Sequence, residues 1–220
     1  MELKGTKINF LGDSITEGCG TSGVEYRFTS LIEREYGAIC RNYGISGTRI
    51  ARQQDPGDEA DLPENRDFCS RISDLDPDAD IVCVFGGTND FGHGDAKIGT
   101  FADHTPDTFC GALNTLYSEL IAKFPQALIV ILTPLHRIGE NDNTGMAHGI
   151  PKGVRLEDYV DLIKEAARYY SLPVLDLYAA SGMQPEVPAI REAYIPDGLH
   201  PNDAGHVRLA QLITAFLRSL

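Results

Sequence analysis

A serine hydroxyl is a poor nucleophile near neutral pH unless an imidazole takes its proton and a carboxylate fixes that imidazole. The 220-residue chain offers one ordered set of residues for this work. Ser14 lies in Gly12-Asp13-Ser14-Ile15-Thr16, immediately after the apolar run Ile8-Asn9-Phe10-Leu11. Near the other end, Asp197-Gly198-Leu199-His200-Pro201-Asn202 places a carboxylate three residues before a histidine, a span of at most ~10 Å when extended. A residue preceding proline is biased away from the α region, so His200 is expected in a loop, with Asn202 capping the helix that follows. Acyl transfer also needs donors where an oxyanion forms. Asn42-Tyr43-Gly44-Ile45-Ser46-Gly47 supplies Gly47, whose N–H has no side chain in its way, and Gly86-Gly87-Thr88-Asn89-Asp90 supplies the Asn89 amide. Read singly, each piece is also a plausible tight turn. Thr16 further separates the first piece from the G-x-S-x-G elbow.

The elements that would position these residues are legible in the hydrophobic pattern. Apolar runs at Ile8 to Leu11, Ile39 to Tyr43, Ile81 to Phe85, Leu128 to Leu132 and Val174 to Leu177 predict five strands. The third and fourth are unbroken, as parallel strands buried on both faces are. Helical spacing joins Phe28, Ile32 and Tyr36; Phe109, Leu113, Leu116, Leu120 and Phe124; and Leu156, Val160, Ile163, Ala167 and Tyr170. Thr105-Pro106 is the expected start of the second of these helices, and a last helix is expected from about Asp203 to Leu220. Each crossover therefore reads as helical, giving an α/β domain over 1–220 with an open five-stranded parallel sheet. Long connections at 86–105, 135–153 and 178–196 all follow strands and so crowd the carboxyl edge, where such sheets bind ligands. The stretch Gln53 to Asp67 reads as a solvated loop.

Nineteen basic against 32 acidic residues give a net charge of −13, which disfavours nucleic acid or an anionic membrane as partner. No apolar run reaches the ~20 residues of a membrane span and no signal segment is evident, so a soluble, cytoplasmic protein is expected. Five scattered cysteines without a C-x-x-C are expected to be reduced, with Cys40 and Cys83 inside strands. Gly18-Cys19-Gly20-Thr21-Ser22-Gly23 fits G-x-G-x-x-G, but it begins well after the first strand and no acidic residue ends the second strand, so a dinucleotide is not expected. His93, His104, His136 and His148 lie in the long connections without metal-ligand spacing, and no metal or other cofactor is expected. His93, His136 and His148, with Asp13, are candidate substrate contacts. His206 is expected on the exposed or capping side of the last helix, and Tyr178, Met183 and Tyr194 as pocket wall or loop packing.

Taken in order, four blocks resemble the SGNH hydrolases, the GDSL-type esterase and lipase family: Gly12-Asp13-Ser14, Asn42-x-x-x-Ser46-Gly47, Gly87-Thr88-Asn89-Asp90 and Asp197-x-x-His200-Pro201. Ile15 stands where the name-giving motif has leucine. The resemblance implies a flavodoxin-like three-layer α/β/α fold and hydrolysis of esters or thioesters without a metal. It also implies an oxyanion hole made by the Ser14 N–H, the Gly47 N–H and the Asn89 side chain. The expected catalytic residues are Ser14, Asp197 and His200, and the expected partner is a small-molecule ester. Acetyl esters of carbohydrate or another small polar alcohol come first. A lysophospholipid, a thioester or acyl transfer within the family comes second, and a non-catalytic binding module is the alternative of another class.

Overall fold

The computed structural model describes residues 1–54, 62–141 and 153–220. Five parallel strands, β1 (Lys7–Gly12), β2 (Ile39–Gly44), β3 (Ile81–Phe85), β4 (Leu128–Leu132) and β5 (Val174–Leu175), lie in the order β2-β1-β3-β4-β5. The α-helices of the described residues are α1 (Ser14–Glu17), α2 (Phe28–Tyr36), α3 (Thr88–Gly92), α4 (Phe109–Lys123), α5 (Leu156–Tyr169), α6 (Leu177–Ala180), α7 (Pro188–Tyr194) and α8 (Asp203–Ser219). Alternate residues of β3 feed two cores. Val82 and Val84 pack with Leu113 and Leu116 of α4 and Ile163 of α5, whereas Ile81, Cys83 and Phe85 pack with Phe28 and Ile32 of α2 and Leu209 and Ile213 of α8. Each such aliphatic or aromatic side chain contributes about 1.5–3 kcal/mol on burial. The three-layer α/β/α arrangement around a parallel sheet is the one expected of an SGNH hydrolase.

The register aligns the carboxyl ends of the strands. Gly12 of β1 pairs with Gly44 of β2 and with Phe85 of β3, and Phe85 pairs with Leu132 of β4. From β1 the chain goes outward to β2 and returns on the far side of β1 as β3, so the crevice between β1 and β3 is a topological switch point. Ser14 follows β1 and Asn89 follows β3. α1 lies so close across the strand ends that a Cβ on Gly44 would sit 2.0 Å from the Glu17 nitrogen. Any side chain there would lift the turn that carries Ser14.

Several local expectations are corrected. The β2–β3 crossover has no α-helix among its described residues; a 3₁₀ segment, Cys69–Asp74, takes its place. Only Cys69 and Ile72, three apart, are apolar and buried there, a spacing that suits 3₁₀ geometry, and Asp76 before Pro77 cannot prolong a helix. Helix α4 is capped by Thr108, whose hydroxyl accepts from the Gly111 N–H, not by Thr105. The N–H groups of Phe109 and Cys110 are taken by the carbonyls of Lys97 and Ile98, which holds the chain extended up to Thr108. β5 stops at Leu175 because Asp176 caps α6, accepting from the Ala179 N–H. The first and last long connections contain α3, α6 and α7. Gln53 and Asp67, at the ends of the expected solvated loop, are buried, and residues 55–61 between them lie outside the described set. All five cysteines are free, with Cys40 in β2 and Cys83 in β3. Among the described residues no helix is long and apolar enough to cross a membrane.

Candidate active site

Ser14 opens α1, and its preceding residue Asp13 caps that helix by accepting from the Ile15 N–H. The Ser14 side chain is nearly enclosed, and its Oγ lies 3.1 Å from Nε2 of His200. On the other side of the ring, His200 Nδ1 lies 2.7 Å from Asp197 Oδ2. Asp197 Oδ1 accepts from the backbone N–H groups of Leu199 and His200 at 2.8 and 2.7 Å. Burial by itself raises the Asp197 carboxyl, but these backbone bonds and the imidazole outweigh it and hold it below the usual carboxylate range. Asp197 remains half exposed, at 54% of its side chain. Asn202 caps α8 by accepting from the Gly205 N–H, which fixes the helix that follows the histidine loop. This geometry allows a proton to pass from Ser14 to His200 while the carboxylate keeps Nδ1 protonated.

The candidate donors follow the neighbouring strands, Gly47 after β2 and Asn89 after β3. Among the described residues none accepts from the backbone N–H of Ser14 or of Gly47. Asn89, the second residue of α3, gives one amide hydrogen to the Thr48 carbonyl at 3.0 Å, and the other has no acceptor among the described residues. Its neighbour Asp90 accepts from the N–H groups of Ile50 and Ala51, both at 2.9 Å. The glycine block and the asparagine block are thereby tied to each other.

Sequence reading missed the arginines that complete this frame. Arg71 is fully buried; it donates to the carbonyl of Gly12 at 3.1 Å, to the Thr48 hydroxyl at 2.9 Å and to the Tyr43 carbonyl. One guanidinium thus joins the ends of β1 and β2 to the loop after β2. Burial lowers its pKa to about 10. Arg49 donates to the Gly47 carbonyl at 2.9 Å, and Arg137 donates to the carbonyl and hydroxyl of Thr88, at 3.0 and 3.1 Å. An arginine in a polar stretch looks solvated in sequence, so no local signal marks these three.

The other candidates separate. Asp13, a candidate substrate contact, is fully buried, and its carboxylate accepts from the Ile15 N–H as the cap of α1. His93 lies 3.3 Å from Arg49 through Nδ1, beside the glycine block. His136 belongs to the loop after β4 and is bonded to Glu140. His104 is exposed, and His148 lies outside the described residues. Met183 is core, whereas Tyr178 stacks on His136 and Tyr194 lies under Arg208. Gly20, from the glycine-rich stretch, has φ +93°, and a Cβ there would meet the Pro201 carbonyl oxygen at 2.4 Å and the His200 Cβ at 3.1 Å. These glycines let the histidine loop lie against the segment that follows Ser14. Ser22 then ties that segment to Asp203 through its N–H and hydroxyl, at 2.8 and 2.6 Å.

His206 is buried, contrary to expectation, because its Nδ1 accepts from the Phe28 N–H at the start of α2 and its ring stacks on Phe28. Burial depresses its pKa to about 4, whereas burial, with Asp90 nearby, raises that of Asp13 to about 7. The signs oppose. His206 contributes stability that is complete above its unfolded value near 6.5 and is lost as pH falls toward 4, about 3 kcal/mol in all. Asp13 costs stability at neutral pH, and that cost disappears on acidification. Asp13→Asn should therefore lose more stability than the wild type between pH 7.5 and 4.5, measured by urea unfolding. Parallel curves would show that Asp13 is not held as described, since His206 is common to both proteins.

A GDSL-like lipase/acylhydrolase family model matches residues 10–208, which include the serine turn, both donor blocks and the Asp197–His200 loop. One crystal structure is 35% identical over 100% of this chain and 99% of its own, with a TM-score of 0.84. The crystal structure of a Lactobacillus plantarum protein is 30% identical over 98% of both chains, with a TM-score of 0.82. A two-domain esterase active on acetylated mannans, crystallised with mannopentaose, shares the fold at 24% identity and a TM-score of 0.61; the likeness covers 99% of this chain and 50% of that one. No curated protein sequence matches. With four blocks assembled on one sheet edge and the family model spanning them, the chain belongs to the GDSL-like lipase/acylhydrolase family.

Proposed function

We propose that this protein is a serine esterase acting through an acyl-enzyme on short-acyl, chiefly acetyl, esters of carbohydrate or other small polar alcohols. The observation that carries the reading is the continuous relay from Ser14 Oγ to His200 at 3.1 Å and from His200 to Asp197 at 2.7 Å. Ser14 attacks the ester carbonyl carbon as His200 Nε2 takes its proton. The carbonyl oxygen becomes an oxyanion held by the Ser14 and Gly47 N–H groups and the second amide hydrogen of Asn89. His200 returns the proton to the departing alkoxide, leaving alcohol and acyl-Ser14. Water, deprotonated by His200, then attacks the acyl carbon; the acid leaves and Ser14 regains its proton.

The polar, hydrogen-bonded character of the loops around the relay favours a small polar alcohol over a long acyl chain, and a fold relative acts on acetylated mannans. Rates on p-nitrophenyl esters from acetate to palmitate, run beside acetylated sugars, test this. We expect kcat/KM to be highest at acetate or butyrate and acetate to be released from the sugars. A maximum at ten carbons or more would overturn the substrate assignment in favour of a lipid ester.

A further inference from the structure

The loop after β4 holds a second oriented imidazole that the proposed reaction does not use. Glu140 is buried, and its carboxylate accepts from His136 Nδ1 at 2.8 and 2.9 Å, from the Arg137 N–H at 3.1 Å and from Gln184 Nε2 at 3.1 Å. Burial alone would raise this carboxyl, but the bonds from His136, Gln184 and Arg137 outweigh it and hold it below its ordinary range. An ionised carboxylate at Nδ1 places the ring hydrogen there. On the tautomer with hydrogen at Nδ1, the lone pair of Nε2 lies on the other side of the His136 ring. The ring lies against Tyr178, with centroids 3.8 Å apart and the planes tilted by 37°, and about 20% of the side chain is exposed. Among the described residues none bonds to Nε2.

This loop is part of the same sheet edge as Ser14. Arg137 holds Thr88, the neighbour of Asn89, and the Ile138 N–H donates to the Gly198 carbonyl at 2.8 Å, two residues before His200. His136 is two residues from Ile138, at most ~7 Å of chain. The carboxylate–imidazole pair is built like Asp197–His200, yet among the described residues no hydroxyl or thiol bonds to its Nε2. What it offers is an acceptor. A short acyl group carries no hydrogen-bond donor, whereas a free hydroxyl on the alcohol half of an ester does.

We propose that His136 Nε2 accepts a hydrogen bond from a second, unesterified hydroxyl of the alcohol moiety, selecting esters of polyols and sugars over esters of simple alcohols. The proposal rests on the reading of Ser14 as an esterase nucleophile. It is tested by comparing a monoacetylated methyl glucoside with cyclohexyl acetate, a ring ester of similar size without hydroxyls. The wild type should favour the glucoside ester in kcat/KM. H136A should reduce that preference by about three- to tenfold, the scale of one neutral hydrogen bond, and H136Q, which keeps an acceptor oxygen, should restore part of it. A wild type that cleaves both esters equally, or an unchanged preference in folded H136A, overturns this proposal and leaves the esterase reading intact. A wild type that cleaves neither ester, nor p-nitrophenyl acetate, and is not labelled at Ser14 by a fluorophosphonate overturns both.

Discussion

Ser14→Ala should lower turnover of p-nitrophenyl acetate by at least about 10⁴-fold, the scale on which serine hydrolases lose their nucleophile. Far-UV circular dichroism and the unfolding midpoint should stay near those of the wild type. The separation is expected because, among the described residues, Oγ bonds only to His200, while the turn is held by the Asp13 cap and by Arg71 on the Gly12 carbonyl. Removing one hydroxyl from this turn therefore disturbs no structural contact. The residual rate should come from water entering the oxyanion site, and fluorophosphonate labelling should vanish with the hydroxyl. Activity within tenfold of the wild type, in a variant that no longer labels, would mean that the 3.1 Å contact with His200 is not the nucleophilic one.

What was legible in the sequence was whatever depends on local pattern. The unbroken runs Ile81 to Phe85 and Leu128 to Leu132 read as buried parallel strands because both of their faces are apolar, and the structure has them so. The helix from Phe28 and that from Leu156 follow from their 3.6-residue spacing. The approach of Ser14, Asp197 and His200 could be anticipated because the carboxyl ends of a parallel sheet share one edge. The frame beneath them was hidden, since it depends on tertiary burial. Nothing near Arg71 in sequence distinguishes it from a solvated arginine; only the fold brings the carbonyls of Gly12 and Tyr43 to it. His206 was misplaced for the same reason, because its partner is the Phe28 N–H on another helix. A carboxylate next to a nucleophile invites a substrate role, and the cap that Asp13 gives α1 shows only in the fold.

Asn89→Ala should reduce kcat by about 10²- to 10³-fold with little change in KM, the pattern of a donor that acts mainly in the transition state. One amide hydrogen is committed to the Thr48 carbonyl, which restrains the amide, so little reorganisation is needed as charge develops on the substrate oxygen. The same bond adds a structural cost, because alanine leaves the Thr48 carbonyl without its partner, at about 1–3 kcal/mol. The two effects separate by temperature. Well below the unfolding midpoint the protein is folded, Asp90 still holds Ile50 and Ala51, and any remaining rate deficit belongs to the missing donor. In the Ser14→Ala protein, whose residual rate still uses the oxyanion site, Asn89→Ala should lower that residual rate as well. A loss below tenfold in folded Asn89→Ala would leave Asn89 only as the brace between α3 and Thr48, and the oxyanion would have to rest on the Ser14 and Gly47 N–H groups.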